Sequence, residues 1–170
     1  DKITEQQNPV SSDIDEKTIY DILTMINNED ADVAQAVQKR LQDIEMFIDA
    51  LCQRFKDGGR LFYVGSGTSG RLGVLDAAEC PPTYRTDPEM VQGIIAGGYD
   101  ALVRSIEGAE DCLEDGAQVV SDHNITANDT VLGITASSST PFVLGTLEEA
   151  KKIGALTGLI ICNKLPHLEY

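Results

Sequence analysis

Residues 60–71 read Arg60-Leu61-Phe62-Tyr63-Val64-Gly65-Ser66-Gly67-Thr68-Ser69-Gly70-Arg71. An unbroken apolar run followed by glycines interleaved with hydroxyl side chains is the pattern of a buried strand turning tightly into a helix. Similar runs follow at helix-length intervals: Val91 to Ala96, Thr130 to Thr135 and Leu156 to Cys162. Strands apolar on both faces and separated by helical lengths predict βαβ units and a parallel sheet. Helices are expected over about residues 69–78, closed by Pro81-Pro82, over about 99–120 in two pieces around Gly108, and over 141–153. Right-handed crossovers place them on both faces. The expected fold is therefore a three-layer α/β domain.

Upstream, the apolar period is helical. Ile19, Ile22, Leu23 and Ile26 share one face, and Val33, Val37, Leu41, Ile44, Ile48, Leu51 and Phe55 form a second stripe. Two amphipathic helices are predicted, with a turn at Asn27-Asn28-Glu29-Asp30 and a stop at Gly58-Gly59. Thr4 to Ser12, polar and containing Pro9, reads as an extended arm. This divides the chain into an arm and helical pair, 1–58, and an α/β domain, 59–170.

Composition narrows the function. Against 28 Asp and Glu stand 13 Lys and Arg, a formal net charge of −15, which argues against a phosphate-backbone partner that needs a basic face. Residues 1–5 lack the apolar core of a signal peptide, and no apolar run is long enough to span a bilayer. A soluble, cytoplasmic protein with neither nucleic-acid nor membrane partners is expected. Cys52, Cys80, Cys112 and Cys162 are widely spaced and have no His close by, so they are read as reduced core thiols with no metal site.

In an open parallel sheet, ligands bind beyond the carboxyl ends of the strands. Two loops there carry chemistry: Gly65 to Arg71, and Ala136-Ser137-Ser138-Ser139-Thr140-Pro141. The first fits Gly-x-Gly-x-x-Gly, but a dinucleotide site also needs an acidic residue at the end of the second strand, which here ends Ala96-Gly97-Gly98. A phosphate loop of the nucleotide-hydrolase type fails as well, because Arg71 and Leu72 stand where Lys and Ser or Thr are required. What remains is a pair of hydroxyl-rich loops at helix starts. Thr68, Ser69, Thr135, Ser137 and Thr140, with Gly67 and the free N–H groups there, suit a phosphate monoester. The alternative is that these residues only cap helices and form turns.

This loop pair resembles the sugar isomerase (SIS) fold, a flavodoxin-type parallel α/β domain that binds phosphorylated sugars through Gly-Thr-Ser and Ser/Thr-x-Ser-x-x-Thr motifs. Within that fold, several stretches are similar to the N-acetylmuramic acid 6-phosphate etherase family: TEQQNP from Thr4 to Pro9 with Asp13-Ile14-Asp15, GSGTSGRLGVLDAAECPPTY from Gly65 to Tyr84, IIAGG from Ile94 to Gly98, and EGAED from Glu107 to Asp111. The resemblance implies a lyase that cleaves the lactyl ether of that sugar to N-acetylglucosamine 6-phosphate and D-lactate in amino-sugar catabolism, without cofactor or metal. It aligns Glu79 with the family's proton-donating glutamate and Glu110 with the other catalytic glutamate, the expected base. Glu79 lies nine residues past Gly70, roughly 13 Å along a helix. That is too far for a sugar phosphate held at the helix start, and implies a homodimer in which one glutamate serves the partner's pocket.

The chain departs from the family in its second loop. Ser138 and Ser139 replace the usual Gly and Arg, and Thr135 stands where Ala is frequent. The family also continues well beyond Cys162-Asn163. A non-catalytic sugar-phosphate-binding regulator, as in the glucokinase regulatory protein, is the rival reading, and a nonfunctional fragment is a third.

Overall fold

The computed structural model describes residues 3–163. Helices α1 (Ile19–Gln38) and α2 (Leu41–Lys56) precede β1 (Leu61–Gly65), α3 (Gly67–Tyr84), β2 (Val91–Ile95), α4 (Leu113–Asp122), β3 (Thr130–Thr135), α5 (Pro141–Lys152) and β4 (Leu156–Ile161). The strands form one sheet in the order β2-β1-β3-β4, parallel throughout. The expected strands are present, their ends shifted by at most a residue.

Alternation along β1 builds the layers. Phe62 and Val64, fully buried, join a core with Val119 and Val120 of α4 and Val143 and Leu147 of α5. Leu61 and Tyr63 face the opposite side, with Ala77 of α3 and Leu51 and Phe55 of α2. Each large side chain so buried contributes roughly 2 kcal/mol. The fold is a three-layer α/β domain. The chain divides into two compact units after Asp49, so the second half of α2 belongs with the sheet.

An ion pair clamps the amino end of the sheet. Asp129, just before β3, accepts from the backbone N–H, Nε and NH2 of Arg60, just before β1, at 2.8, 3.1 and 2.9 Å. It also accepts from the N–H and hydroxyl of Thr126. Burial pushes the Asp129 carboxyl up, but these donors outweigh it and hold the group below its ordinary value.

Several expectations are corrected. The α1 helix runs unbroken through Asn27 to Asp30, and the break falls at Lys39-Arg40. Residues 27–30 include neither Gly nor Pro, and exposed Asn or Asp costs a helix only tenths of a kcal/mol, about 0.7 at most. The arm is a series of 3-10 turns, Ile3–Glu5, Pro9–Ser11 and Ile14–Glu16, instead of extended chain. Asn8 caps the second of these and donates through its amide to Glu29 of α1 at 2.8 Å.

Pro81 and Pro82 sit inside α3 and do not end it. Each removes one intrahelical donor, but proline's fixed φ suits a helix and both fall in its last turn. Arg85, at φ 58°, closes the helix by donating its N–H to Pro81 O at 2.8 Å. Glu79 is therefore an interior helical residue, not a terminal one.

The expected helix over 99–120 shrinks to a 3-10 turn, Tyr99–Leu102, and α4. Residues 103–112 between them are irregular; Gly108 there adopts φ 74°, outside the helical region. Only Cys80 packs against the core, half-buried beside Leu61 and Ala77, whereas Cys52 and Cys162 are exposed and Cys112 is half-buried elsewhere. Cys112 instead caps α4, accepting the N–H of Asp115. Among the described residues no helix is long and apolar enough to cross a membrane.

Candidate functional site

The chain leaves β1 for β2 on one side and then returns to β3 on the other. The carboxyl end of β1 is thus the switch point, where neighbouring connections diverge and leave a crevice. Sterics shape the turn there. A Cβ on Gly65 would lie 2.6 Å from the Gly70 nitrogen, and one on Gly70 would lie 2.6 Å from Ile95 Cγ1. Those two glycines let α3 pack against strand ends. Gly67 has open space and φ 52°, so it serves the turn itself.

Ser66 is the N-cap of α3, yet its side chain makes no cap bond. Its hydroxyl donates instead to Glu110 Oε2 at 2.5 Å. The first turn of α3 thus presents backbone N–H groups without a side-chain cap, and the positive end of the helix dipole lies beside them. The backbone of Glu110 is held too: its carbonyl accepts the Phe142 N–H of α5 at 3.0 Å. Glu110 therefore joins the loop after β1 to the start of α5.

A cavity of about 330 Å3 lies here, walled by Ser66, Gly67, Arg71, Arg104, Glu107 and Glu110 among others. Its volume suits a small molecule. Two arginines and two glutamates line it, formally balanced in charge within a chain whose net charge is −15. Arg71 donates through Nε to Leu102 O at 3.1 Å and through NH2 to Arg104 O at 3.0 Å.

The loop after β3 is organised differently. Thr135 and Thr140, both buried, hydrogen-bond each other at 2.7 Å. Pro141 opens α5 without an N–H, and the next N–H, of Phe142, goes to Glu110. The expected free donors at this helix start are thus reduced. Ser137 and Ser139 hydroxyls lie 3.3 Å apart, and Ser138 between them takes φ 65°.

The glucokinase regulatory protein N-terminal SIS domain model matches residues 43–151. The chain belongs to this SIS-domain family. It is also 52% identical over 160 residues to an N-acetylmuramic acid 6-phosphate etherase of Thermosynechococcus vestitus, covering 94% of this chain and 52% of that one. To the etherase of Clostridium acetobutylicum it is 53% identical over 152 residues, covering 89% and 50%. The chain spans about half the length of the curated relatives it matches. Among solved structures, a phosphoheptose isomerase from Neisseria gonorrhoeae superposes with a TM-score of 0.63 at 16% identity, covering 85% of this chain and 74% of that one. That likeness concerns the fold.

In this SIS domain, Gly67 and Glu110 are the sequence-predicted site residues that line the cavity. Thr68 and Ser69 follow in the first turn of α3. Glu79 is exposed on the same helix, twelve residues beyond Gly67 and roughly 18 Å along the axis, and is not part of the wall. Thr135 at the end of β3 and Ser137 and Thr140 after it are outside the wall, which draws on the connections following β1 and β2. Sequence reasoning missed Ser66, Arg71 and Arg104. Ser66 and Arg71 stood within the loop as positions outside the hydroxyl pattern, while Arg104 gave no signal beyond its charge.

Proposed function

We propose that the protein is a carbon–oxygen lyase acting on N-acetylmuramic acid 6-phosphate, releasing D-lactate and N-acetylglucosamine 6-phosphate. The observation that carries this reading is the Glu110 carboxylate, held by Ser66 at a cavity beside an uncapped helix start. The relatives named above support it through their printed names and their identity to this chain.

The chemistry follows from what an ether α,β-elimination needs. In the ring-opened sugar the proton at C2 is acidified by the C1 aldehyde. Glu110 takes that proton, the electron pair forms the C2–C3 double bond, and the C3–O bond breaks as an acid protonates the departing lactyl oxygen. Water then adds at C3. Base and acid are two carboxyl groups in opposite protonation states, with Glu79 the proposed acid. The phosphate is proposed to sit at the α3 start with Gly67, Thr68 and Ser69, and Thr135, Ser137 and Thr140 are proposed to complete its shell from the second loop.

Because Glu79 lies outside the cavity that holds Glu110, the site is proposed to be shared in a homodimer, each copy lending Glu79 to its partner. A phosphorylated sugar does not cross a bilayer unaided, which makes the cytoplasm the proposed location. Incubation with N-acetylmuramic acid 6-phosphate and a D-lactate assay tests the reading. Lactate release is expected; saturable binding of N-acetylglucosamine 6-phosphate without any lactate would instead favour a non-catalytic regulator.

A further inference from the structure

Glu110 reaches the cavity on a segment with little structure of its own. From Val103 to Cys112 the chain forms no helix or strand, and Val103 to Gly108 are exposed. Without a helix or strand ladder, the path of such a segment is fixed only by the contacts its backbone makes with other elements. Near its start, Leu102 O and Arg104 O both take theirs from Arg71, at 3.1 and 3.0 Å. At its end, Glu110 is held by Ser66 through the side chain and by Phe142 through the backbone. Arg71 and Ser66 both belong to the opening of α3. The segment is therefore pinned at two points to one helix end, and the cavity lies between the pins.

The guanidinium fork suits this task. Arg71 is half-buried, and its planar donors engage two carbonyls two residues apart, whereas a lysine ammonium is a single point charge without that fixed geometry. We propose that Arg71 is a positioning residue for Glu110: by holding the carbonyls of Leu102 and Arg104 it sets the path of residues 102–110, and so places the Glu110 carboxylate over the α3 start. This rests on the reading of Glu110 as the base. Arg71 acts through the segment and need not touch the reacting atoms.

The test compares the unaltered protein with Arg71→Ala and Arg71→Lys by amide hydrogen exchange and by lactate release. Faster exchange is expected in residues 101–110 of both variants, with strand amides unchanged. Turnover by Arg71→Ala should fall in kcat by about tenfold or more, since small misplacements of a catalytic group are costly, while KM stays within about twofold. Arg71→Lys should not restore kcat, because it returns the charge without the fork. Unchanged exchange in 101–110, or full recovery by Lys, would overturn the proposal. If Arg71→Ala does not fold, the exchange of Arg71→Lys alone decides it. If the unaltered protein releases no lactate, the reaction reading fails, and the exchange comparison still decides whether Arg71 holds the segment.

Discussion

The Ser66 hydroxyl donates to the Glu110 carboxylate at 2.5 Å, across 44 residues of sequence. A serine at a helix N-cap ordinarily accepts from its own helix; here it serves a carboxylate instead, leaving the helix N–H groups open. The arrangement couples the proposed base to the proposed phosphate site through a single side chain.

Ser66→Ala removes that bond without removing a cap bond. Hydrogen bonds to charged groups contribute about 1.5–3 kcal/mol, so kcat/KM for lactate release should fall about ten- to hundredfold, with the melting temperature little changed. Steady-state kinetics and a thermal melt check both halves.

Glu79→Gln and Glu110→Gln should each abolish turnover and leave N-acetylglucosamine 6-phosphate binding nearly intact. In a homodimer with shared sites, mixing the two variants rebuilds one complete site in each heterodimer, so about a quarter of the sites recover at random pairing of a two-fold assembly. No recovery on mixing, with each variant dimeric and exchanging subunits, would place both glutamates in one subunit's site.

Ser138 stands at φ 65°, a left-handed conformation that costs a residue with a Cβ about 1 kcal/mol or more. Ser138→Gly should therefore stabilise the protein by about 0.5–1 kcal/mol once glycine's greater unfolded-state freedom is deducted. Ser138→Ala, which keeps the strain and loses the bond from the Ser138 hydroxyl to Ser137 O, should give no gain. Chemical denaturation of both variants separates the two effects.

Asp129 is held below its ordinary carboxyl value near 3.8 by Arg60 and Thr126, against the opposing effect of burial. A lowered folded-state value means its contribution is present in full above the unfolded value and is lost as pH falls through the folded one. Stability should therefore drop below about pH 4. Asp129→Asn should cost about 1.5–3 kcal/mol at neutral pH, because Arg60 and Thr126 lose their charged acceptor, and should flatten that acid limb. The clamp lies at the amino end of the sheet, away from the cavity, so the folded fraction should retain ligand affinity.

The Thr130 side chain is fully buried, and its hydroxyl has no hydrogen-bond partner. Thr130→Val keeps the shape and removes the orphaned group, so unfolding free energy should rise by about 1 kcal/mol. An unchanged or lower midpoint in urea would contradict this.

The strands could be read from sequence because a strand buried on both faces has to be largely apolar, as in Leu61 to Val64 and Val131 to Ile134. The helix ends were harder. Pro81-Pro82 looked like a stop because proline lacks a donor, but the helix forgoes those two bonds and runs on to Tyr84, where the Arg85 N–H donates to Pro81 O. Asn27 to Asp30 looked like a turn because those residues favour one, yet a helix interior tolerates them on an exposed face. The glycine loop was recognisable, although its chemistry was not: Gly65 and Gly70 serve close packing, and Ser66 serves Glu110.

Local pattern alone specified a parallel α/β sheet and hydroxyl-rich loops beyond its strands, since period, turn sterics and strand burial act over a few residues. Tertiary structure decided which of those loops shares a cavity with Glu110, that Glu79 stays outside it, and that Arg71 and Ser66 hold the same irregular segment. Those contacts join residues 31 to 44 positions apart, across a stretch whose path no hydrophobic period sets. It is set by which carbonyls and carboxylates of that segment meet the donors of Arg71 and Ser66 once the sheet has formed.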